Sequence, residues 1–229
     1  MLKLQKLLLF PEFPNVSSHS DFMKVKILNN AADMFLSLGF KSITMDDIAR
    51  SLGVSKKTIY THYNNKTELV EAVTNYLFDT ICCGMNTIHE RQQNPIAELF
   101  EIKKLVMQHL KDEKSSPQYQ LQKYYPKIYS NLKKRQFEFM QDFIKDNLIR
   151  GINQKLYKTT INTDFVTRIY IHGIMGIKNK DIFPLNNYSM GTLMNYYLEY
   201  HLYGICTEKG IHELEKQLHS SQSSKRLQV

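Results

Sequence analysis

The side chains best suited to chemistry in this sequence lie between residues 44 and 66, where hydroxyl, ammonium, phenol and imidazole groups follow one another closely. Hydroxyl and ammonium groups donate hydrogen bonds to phosphate oxygens, and Lys, Thr and His can also reach base edges in the major groove of DNA. Four of these side chains are candidates for phosphate contacts: Thr44, Lys56, Tyr60 and Lys66. Four others are candidates for contacts with base edges: Lys57, Thr58, Thr61 and His62.

Two short helices joined by a tight turn are needed to position these side chains, and the sequence carries a signal for each boundary. Thr44 followed by Asp47 is a capping-box pattern, with Asp in place of the usual Glu, and predicts the start of a helix. Gly53 supplies the backbone freedom for the end of that helix and a sharp turn. Ser55 is a favourable N-cap for the second helix, which we predict over residues 56–63.

Apolar residues at helical spacing define the buried face of this pair of helices. Ile59 and Tyr63, four residues apart, share one side of the second helix, so the polar and basic side chains can face outward. In the first helix the inward positions are Ile48, Ala49 and Leu52. The alternative is two amphipathic helices that only pack, because lysine-rich faces are usually just solvated. The joint placement of caps, glycine turn and basic edge favours a helix-turn-helix that enters the major groove.

Total charge supports this interpretation only weakly. The chain carries a net charge of +8 with a pI near 9.2, which favours polyanionic partners. Residues 22–75, however, hold seven basic and five acidic side chains, a balance of only +2. Most of the excess lies beyond residue 76, notably at Lys123, Lys127, Lys133, Lys134 and Arg135. The prediction of DNA binding therefore depends on where the side chains are placed.

Residues 22–76 closely resemble the DNA-binding domain of the TetR family of bacterial transcriptional regulators. The resemblance covers the first helix, VKILNNAADMFLSLGF, and the stretch ARSLGVSKKTIYTHYNNKTEL. It includes the family's spacing of aromatic residues, histidine and lysine at Tyr60, His62, Tyr63 and Lys66, with Tyr63 at a position where Phe is commoner. The resemblance implies a C-terminal helical domain that dimerises and encloses a pocket for a small molecule.

Beyond residue 76 the pattern is helical nearly throughout and no strand alternation persists, so we predict an all-α fold. The helix that begins at residue 65 or 66 should continue to about residue 89, and Pro95 can open the next one. Interior breaks are expected at residues 114–117 and 124–126. The remaining helices are predicted over residues 127–154, 163–177 and 190–206, the last being the final long helix.

These patterns divide the chain into four parts. We expect a flexible N-terminal tail (residues 1–20), a DNA-binding domain (21–76) with its helix-turn-helix at 44–63, a helical effector-binding and dimerisation domain (77–218), and a flexible C-terminal tail (219–229). The helices over residues 163–177 and 190–206 are the candidates for the dimer interface. Gly173 and Gly176, three residues apart, would let a partner helix come close.

The C-terminal half is rich in tyrosine and methionine, side chains that suit a mostly apolar pocket with a few polar groups. The alternative is that these rings simply pack the core or an interface. Histidines within these apolar helices are expected to be satisfied core or interface residues. The candidates for lining an effector pocket are Met107, Tyr125, Tyr129, Phe139, Tyr170, His172 and Met175.

Signals for catalysis or for metal and cofactor binding are poor. The sequence contains no glycine-rich nucleotide loop, no zinc-protease or nucleophile-elbow motif, and no Cys–His cluster with metal-ligand spacing. Its three cysteines are expected to be buried thiols, with a redox-sensing role for Cys82 or Cys83 as the alternative. The apolar run near the N-terminus is too short for a signal peptide or a membrane span. We predict no enzyme activity, no cofactor, no metal and no membrane partner.

The combined prediction is a homodimeric, cytoplasmic transcriptional regulator. It would bind a palindromic operator in double-stranded DNA and act as a repressor that a small-molecule effector releases. A regulator that senses no small molecule is the alternative within DNA binding. A helical enzyme or a protein-interaction module is the alternative from a different class.

Overall fold

The computed structural model describes residues 19–110, 117–179, 181–184 and 186–226. Within these residues every regular element is an α-helix, apart from one isolated backbone bridge between Tyr157 and Cys206. The predicted all-α fold is confirmed. The helices are α1 (His19–Leu38), α2 (Met45–Leu52), α3 (Lys56–Tyr60), α4 (Lys66–Glu90), α5 (Pro95–Leu110), α6 (Pro117–Tyr124), α7 (Pro126–Asn153), α8 (Thr163–Gly176), α9 (Met190–Ile205) and α10 (Glu208–Arg226).

The chain forms two compact units. The N-terminal unit comprises the residues up to 84 together with residues 109–136, and the C-terminal unit comprises residues 85–108 together with those from 137 onward. The sequence analysis placed the boundary between the DNA-binding domain and the effector-binding domain after residue 76. A single cut between the two domains cannot describe these units, because the chain leaves the N-terminal unit within α4 and re-enters it at the end of α5.

The core of the N-terminal unit joins α1–α4 to α6 and the start of α7. The ring of Phe40 lies 5.0 Å from that of Phe35 and 6.3 Å from that of Tyr125, measured between centroids. Each fully buried large apolar side chain contributes roughly 1.5–3 kcal/mol to stability. The buried residues include Ile27, Phe35, Ile48, Ile59, Tyr63, Leu69, Val73, Leu121 and Ile128. Residues 121 and 128 therefore belong to the same core as the predicted helix-turn-helix.

The C-terminal unit has its own core, to which α5, α7, α8, α9 and α10 contribute. Its helices begin where the sequence places capping side chains, since Asn162 accepts a hydrogen bond from the Phe165 N–H and Ser189 accepts one from the Thr192 N–H. The most deeply buried apolar residues of this unit are Ile96, Leu148, Leu156, Tyr157, Ile171, Leu202 and Leu214.

Most predicted helix boundaries are confirmed. The observed α4, α7, α8 and α9 begin and end within about a residue of the predicted positions, and α5 begins at Pro95. The chain also turns between α6 and α7 at Tyr125, as predicted. The second helix of the predicted helix-turn-helix is shorter than expected, because α3 ends at Tyr60 and Thr61 caps it. The predicted break at residues 114–117 lies almost entirely outside the described residues.

The sequence analysis missed α10, because it ended the last helix at residue 206. The chain does leave helical geometry there, with ψ of 147° at Cys206, and the Thr207 hydroxyl then accepts a hydrogen bond from the Gly210 N–H at the start of α10. The apolar signal in α10 is sparse, with Leu214 buried among charged and polar neighbours. The helix continues to Arg226, into the predicted C-terminal tail, and the predicted N-terminal tail lies almost wholly outside the described residues.

Candidate nucleic-acid interface

The N-terminus of α2 carries the predicted capping box. The Thr44 hydroxyl oxygen accepts a hydrogen bond from the Asp47 N–H at 3.2 Å, and the Asp47 carboxylate accepts from the Thr44 N–H at 2.9 Å. The same carboxylate oxygen accepts from the Thr44 hydroxyl at 2.7 Å. These hydrogen bonds lower the pKa of Asp47 below its ordinary value. Because the Thr44 hydroxyl donates to Asp47, it must rotate before it can donate to a phosphate.

A left-handed glycine makes the sharp turn between α2 and α3. Gly53 has φ of 66° and ψ of 30°, and its N–H donates to the Arg50 carbonyl at 3.2 Å. An L side chain at this backbone conformation is strained by about 1–2 kcal/mol. Val54 packs partly buried against the core, and Ser55 accepts a hydrogen bond from the Thr58 N–H at 3.1 Å. The turn chemistry predicted from the sequence is therefore confirmed.

The base-edge candidates lie on α3 and on the two residues that follow it. Lys57 is exposed and His62 is half-buried. The Thr58 hydroxyl lies 2.8 Å from that of Ser55, and the Thr61 hydroxyl donates to the Thr58 carbonyl at 2.7 Å. The two threonines are thus held by local hydrogen bonds. Ile59 is fully buried on the opposite face, so the helix cannot rotate these groups away without pulling Ile59 out of the core.

The side chains predicted to contact phosphate differ in the protein groups with which they now form hydrogen bonds. The ammonium group of Lys56 lies 2.8 Å from the carboxylate of Asp46, and both side chains are half exposed. This hydrogen bond raises the pKa of Lys56. Lys66 donates to the carbonyl of Lys41 at 3.3 Å, and partial burial lowers its pKa. Tyr60 lies exposed at the end of α3.

The effector-pocket candidates are divided between the two units. Tyr125 and Tyr129 pack against the core of the N-terminal unit, with Tyr125 beside Phe40. The other five belong to the C-terminal unit, and of these Tyr170 is buried with its ring 4.5 Å from that of His201. His172 is exposed, because it lies on the outward face of α8. Of the two placements expected for these histidines, core or interface, a core position is excluded for His172, whereas His201 is buried in the core.

The two glycines of α8 have different surroundings. A Cβ on Gly173 would overlap the hydroxyl of Tyr197, which donates to the carbonyls of Ile169 and Tyr170. The close approach at Gly173 is therefore made by α9 of the same chain. A Cβ on Gly176 would meet no atom within 4 Å.

A buried polar cluster in the C-terminal unit escaped the sequence analysis. Glu98 is fully buried, and one of its carboxylate oxygens accepts from Arg150 at 2.6 Å and from the Asn147 amide at 2.7 Å. Arg150 also donates to Asp146 at 2.6 Å and lies 3.2 Å from Nδ1 of His89. Nδ1 of His89 also lies 3.5 Å from the second carboxylate oxygen of Glu98. No local sequence signal connects these residues.

The surroundings of the cysteines bear on the redox-sensing role, and the lengths of the helices bear on membrane spanning. Burial raises the pKa of the Cys82 thiol to about 12, so the reactive thiolate form is disfavoured and a redox-sensing role loses support at this position. Cys83 is exposed, so the expectation of a buried thiol is wrong at this position, whereas Cys206 is buried as expected. Among the helices of the described residues, none combines the length and the apolar character that crossing a bilayer requires.

Comparison with known proteins agrees with this geometry. Residues 27–73 match the family described as "Bacterial regulatory proteins, tetR family". The biofilm operon icaADBC HTH-type negative transcriptional regulator IcaR of Staphylococcus epidermidis is 41% identical over 61 residues, which cover 25% of this chain and 33% of that protein. The IcaR of Staphylococcus aureus is 37% identical over 57 residues, or 25% of this chain and 31% of that protein. These alignments thus span about a third of the length of the relatives.

The likeness of fold extends much further along the chain. A TetR-family transcriptional regulator from Agrobacterium tumefaciens has a TM-score of 0.65 at 15% identity, covering 82% of this chain and 100% of that one. A transcriptional regulator from Cytophaga hutchinsonii has a TM-score of 0.62 at 19% identity over 80% of this chain and 98% of that one. A gamma-butyrolactone receptor (ArpA-like protein) has a TM-score of 0.60 at 15% identity over 90% of this chain and 100% of that one.

The fold and the site together define a class: all-α proteins with an N-terminal helix-turn-helix and a second, larger helical domain. Within this class, residues 27–73 are similar to the N-terminal domain of the TetR family of bacterial regulatory proteins.

Proposed function

We propose that this protein is a sequence-specific, DNA-binding transcriptional repressor that acts as a homodimer in the bacterial cytoplasm. The observation that carries the proposal is the geometry of α2, Gly53 and α3. Burial of Ile59 in α3 and of Tyr63 just beyond it leaves Lys57, Tyr60 and His62 on the outer side. The family match and the name of the IcaR relatives, which are negative transcriptional regulators, support the same function.

The proposed contacts follow from which groups can reach outward. Two copies of α3 would enter successive major grooves of a palindromic operator, about 34–36 Å apart. Lys57, Thr58, Thr61 and His62 would meet base edges, with lysine to guanine as the simplest pairing. The phosphate contacts would come from Thr44, Lys56, Tyr60 and Lys66. Lys56 would exchange its Asp46 partner for a phosphate, and Lys66 would exchange the Lys41 carbonyl.

The proposed homodimer would form through α8 and α9. Their outward faces expose large apolar and aromatic side chains, with Tyr200 78%, Phe165 61% and Tyr196 61% exposed. Ile169 and Tyr203 are exposed on the same two helices. Aromatic residues are enriched in protein interfaces, and a face of this kind on each of two copies can form a four-helix contact.

We further propose that a small-molecule effector binds the C-terminal unit and releases the operator. One of the proteins with a similar fold is named as a receptor for gamma-butyrolactone, which supports ligand sensing in this one. An effector can shift the balance between DNA-bound and free states only by its differential affinity for them. The alternative is a regulator that senses no small molecule, and co-purification of a bound compound would decide against that alternative.

DNA binding can be tested by selecting sequences from a random duplex pool with the full-length protein and measuring affinity at several salt concentrations. For Lys66→Ala we expect weaker binding to every sequence and a salt slope reduced by about 0.9 for each phosphate that is no longer bound. For Thr58→Ala or His62→Ala we expect changed preference at one position in each half-site, by roughly 1–3 kcal/mol. Failure of the wild-type protein to enrich any sequence would contradict the proposed function.

The dimer can be tested by sedimentation of Tyr200→Glu. A charge placed on the exposed face of α9 should convert the dimer to a monomer, because an unpaired carboxylate is costly to bury. Tyr119→Glu is the matched control, since Tyr119 is also exposed but belongs to the N-terminal unit. Equal dimerisation of both variants would rule out this interface.

A further inference from the structure

The charge of the N-terminal unit is distributed unevenly along the chain. Residues 19–84, which hold the whole helix-turn-helix, contain seven basic and seven acidic side chains and are formally neutral. Residues 117–136, which the fold brings into the same unit, contain five basic side chains and no acidic one. The described part of this unit therefore owes its entire net positive charge to α6 and the first turns of α7.

The helix α6 is fixed to the turn that joins α1 to α2. The Gln120 side-chain carbonyl accepts a hydrogen bond from the Lys41 N–H at 2.9 Å. A Cβ on Gly39, whose φ is 86°, would overlap the Gln120 amide group, so the side chain lies directly against the glycine. Leu121 is buried in the core on the next position. The position of α6 relative to this turn is therefore set by packing and by a hydrogen bond.

This docking gathers two lysines around one aromatic ring. The ammonium group of Lys41 lies 5.2 Å from the centroid of the Tyr124 ring, and that of Lys123 lies 5.6 Å from the same centroid. Lys123 also lies 5.8 Å from the ring of Tyr119. Both lysines are exposed, and neither forms an ion pair within the described residues. Cation–π contact holds the ammonium groups near the rings while their hydrogen-bond donors face water. We call Lys41, Lys123, Tyr119 and Tyr124 the α6 patch.

The α6 patch is continuous with the proposed phosphate contact at Lys66. The Lys66 ammonium donates to the carbonyl of Lys41, the same residue whose N–H is held by Gln120 and whose side chain lies on Tyr124. DNA carries one negative charge for about every 1.7 Å of its axis, so a phosphate at Lys66 has further phosphates close by. Lys41 therefore links the α6 patch to the proposed phosphate contact at Lys66.

We infer that the α6 patch is a second phosphate-binding surface, which extends the DNA contact beyond the helix-turn-helix. Lys41 and Lys123 bind the sugar-phosphate backbone flanking the bases that α3 reads. Their contribution is independent of sequence, since ammonium groups on phosphates carry no base information. This inference rests on the proposed function, because it assumes that α3 holds the protein on duplex DNA.

The test measures the salt dependence of binding for the full-length protein on a 40-base-pair duplex carrying the sequence that the wild-type protein selects. For Lys41→Ala/Lys123→Ala we expect a slope of log K against log salt that is flatter by about 1.8 per protomer, with unchanged sequence preference. Lys41→Arg/Lys123→Arg keeps both charges and should restore the slope. Lys145→Ala removes an exposed charge from the part of α7 that lies in the C-terminal unit, and should leave the slope unchanged.

The outcomes separate this inference from the proposed function. If the wild-type protein binds its selected duplex and the double alanine variant keeps the full salt slope with an unchanged thermal melting curve, the α6 patch does not bind DNA and the proposed function stands. A patch-dependent affinity for single-stranded RNA or for phosphatidylglycerol vesicles, without a change on DNA, would also overturn it. A wild-type protein that binds no duplex would overturn both.

Discussion

The helix-turn-helix and the buried cluster of the C-terminal unit both depend on hydrogen bonds between polar side chains. They differ in how far apart in the sequence the hydrogen-bonded residues lie. In the helix-turn-helix the hydrogen bonds of Thr44 and Ser55 reach three residues ahead. In the buried cluster Glu98 and Asn147 are 49 residues apart, and Arg150 and His89 are 61 residues apart. The first site is local and exposed, and the second is long-range and buried.

This difference separates recognition from stability. Exposed local pairs are weak because water competes for each group, so Lys56 can release Asp46 and bind a phosphate at little cost. A buried charge has no such alternative, because the unfavourable desolvation of Glu98 is offset only while Arg150 and Asn147 remain in place. We therefore expect substitutions in the cluster to act on folding and those in the helix-turn-helix to act on binding.

The largest effect should come from Arg150→Met. The substitution leaves the fully buried carboxylate of Glu98 without its guanidinium, and we expect a loss of about 3–5 kcal/mol in the free energy of unfolding, measured by urea titration. Arg168→Met is the matched control, because Arg168 also pairs with an aspartate four residues earlier but both side chains are more than half exposed. The control should unfold at the wild-type urea concentration. Similar urea midpoints for Arg150→Met and Arg168→Met would contradict the expectation that the buried cluster contributes more to stability than an exposed ion pair.

A second large effect should appear as pH dependence. Burial lowers the pKa of His201 to about 4, against an ordinary value of 6.5. Between these two pH values the unfolded chain binds more protons than the folded one. The free energy of unfolding is therefore highest above pH 6.5 and decreases as the pH falls toward 4. The loss should reach about 3 kcal/mol. Urea titrations at about pH 7 and about pH 4.5 should show this loss in the wild type and a smaller one in His201→Gln; equal losses would contradict the assignment.

An intermediate loss of stability is expected for alanine substitutions at Gly210 and Gly53, and its physical cause should differ between the two positions. In Gly210→Ala the added methyl group would overlap the carbonyl oxygen of Leu156, so we expect a loss of about 1–3 kcal/mol from overpacking. A Cβ added to Gly53 would meet no atom within 4 Å, so the cost of Gly53→Ala comes from the positive φ alone. Asn tolerates this conformation, so Gly53→Asn should recover stability while Gly210→Asn should not. Thermal melting of the four variants would test this.

The smallest effect should come from the α2 cap. Thr44→Ala removes the acceptor for the Asp47 N–H and should cost about 1 kcal/mol, whereas Thr44→Ser should keep the cap. Because the pKa of Asp47 is lowered in the folded state, the carboxylate's part of the cap is present above its ordinary pKa of 3.8 and is lost as the pH falls below that value. Urea titrations of both variants would measure the cost, and an alanine variant as stable as the serine one would show that the cap contributes nothing.

Local patterns in the sequence were enough to predict the helix-turn-helix and most helix boundaries. The capping and turn residues Thr44, Gly53 and Ser55 each form hydrogen bonds with residues no more than four positions away. A short stretch of sequence is therefore enough to predict their effects. The same logic failed at α10, where the apolar pattern is too sparse to indicate a helix without the partners against which Leu214 packs.

Only the tertiary structure decided which distant residues meet. It brought residues 117–136 into the N-terminal unit, which changes that unit from formally neutral to positive and places Lys41 and Lys123 on one tyrosine ring. It also joined Glu98 to Arg150 and turned His172 outward. The sequence by itself determined how α2 and α3 form, because caps and turns depend on neighbours. Contacts between distant segments depend on how whole helices pack, and packing is a property of the three-dimensional core.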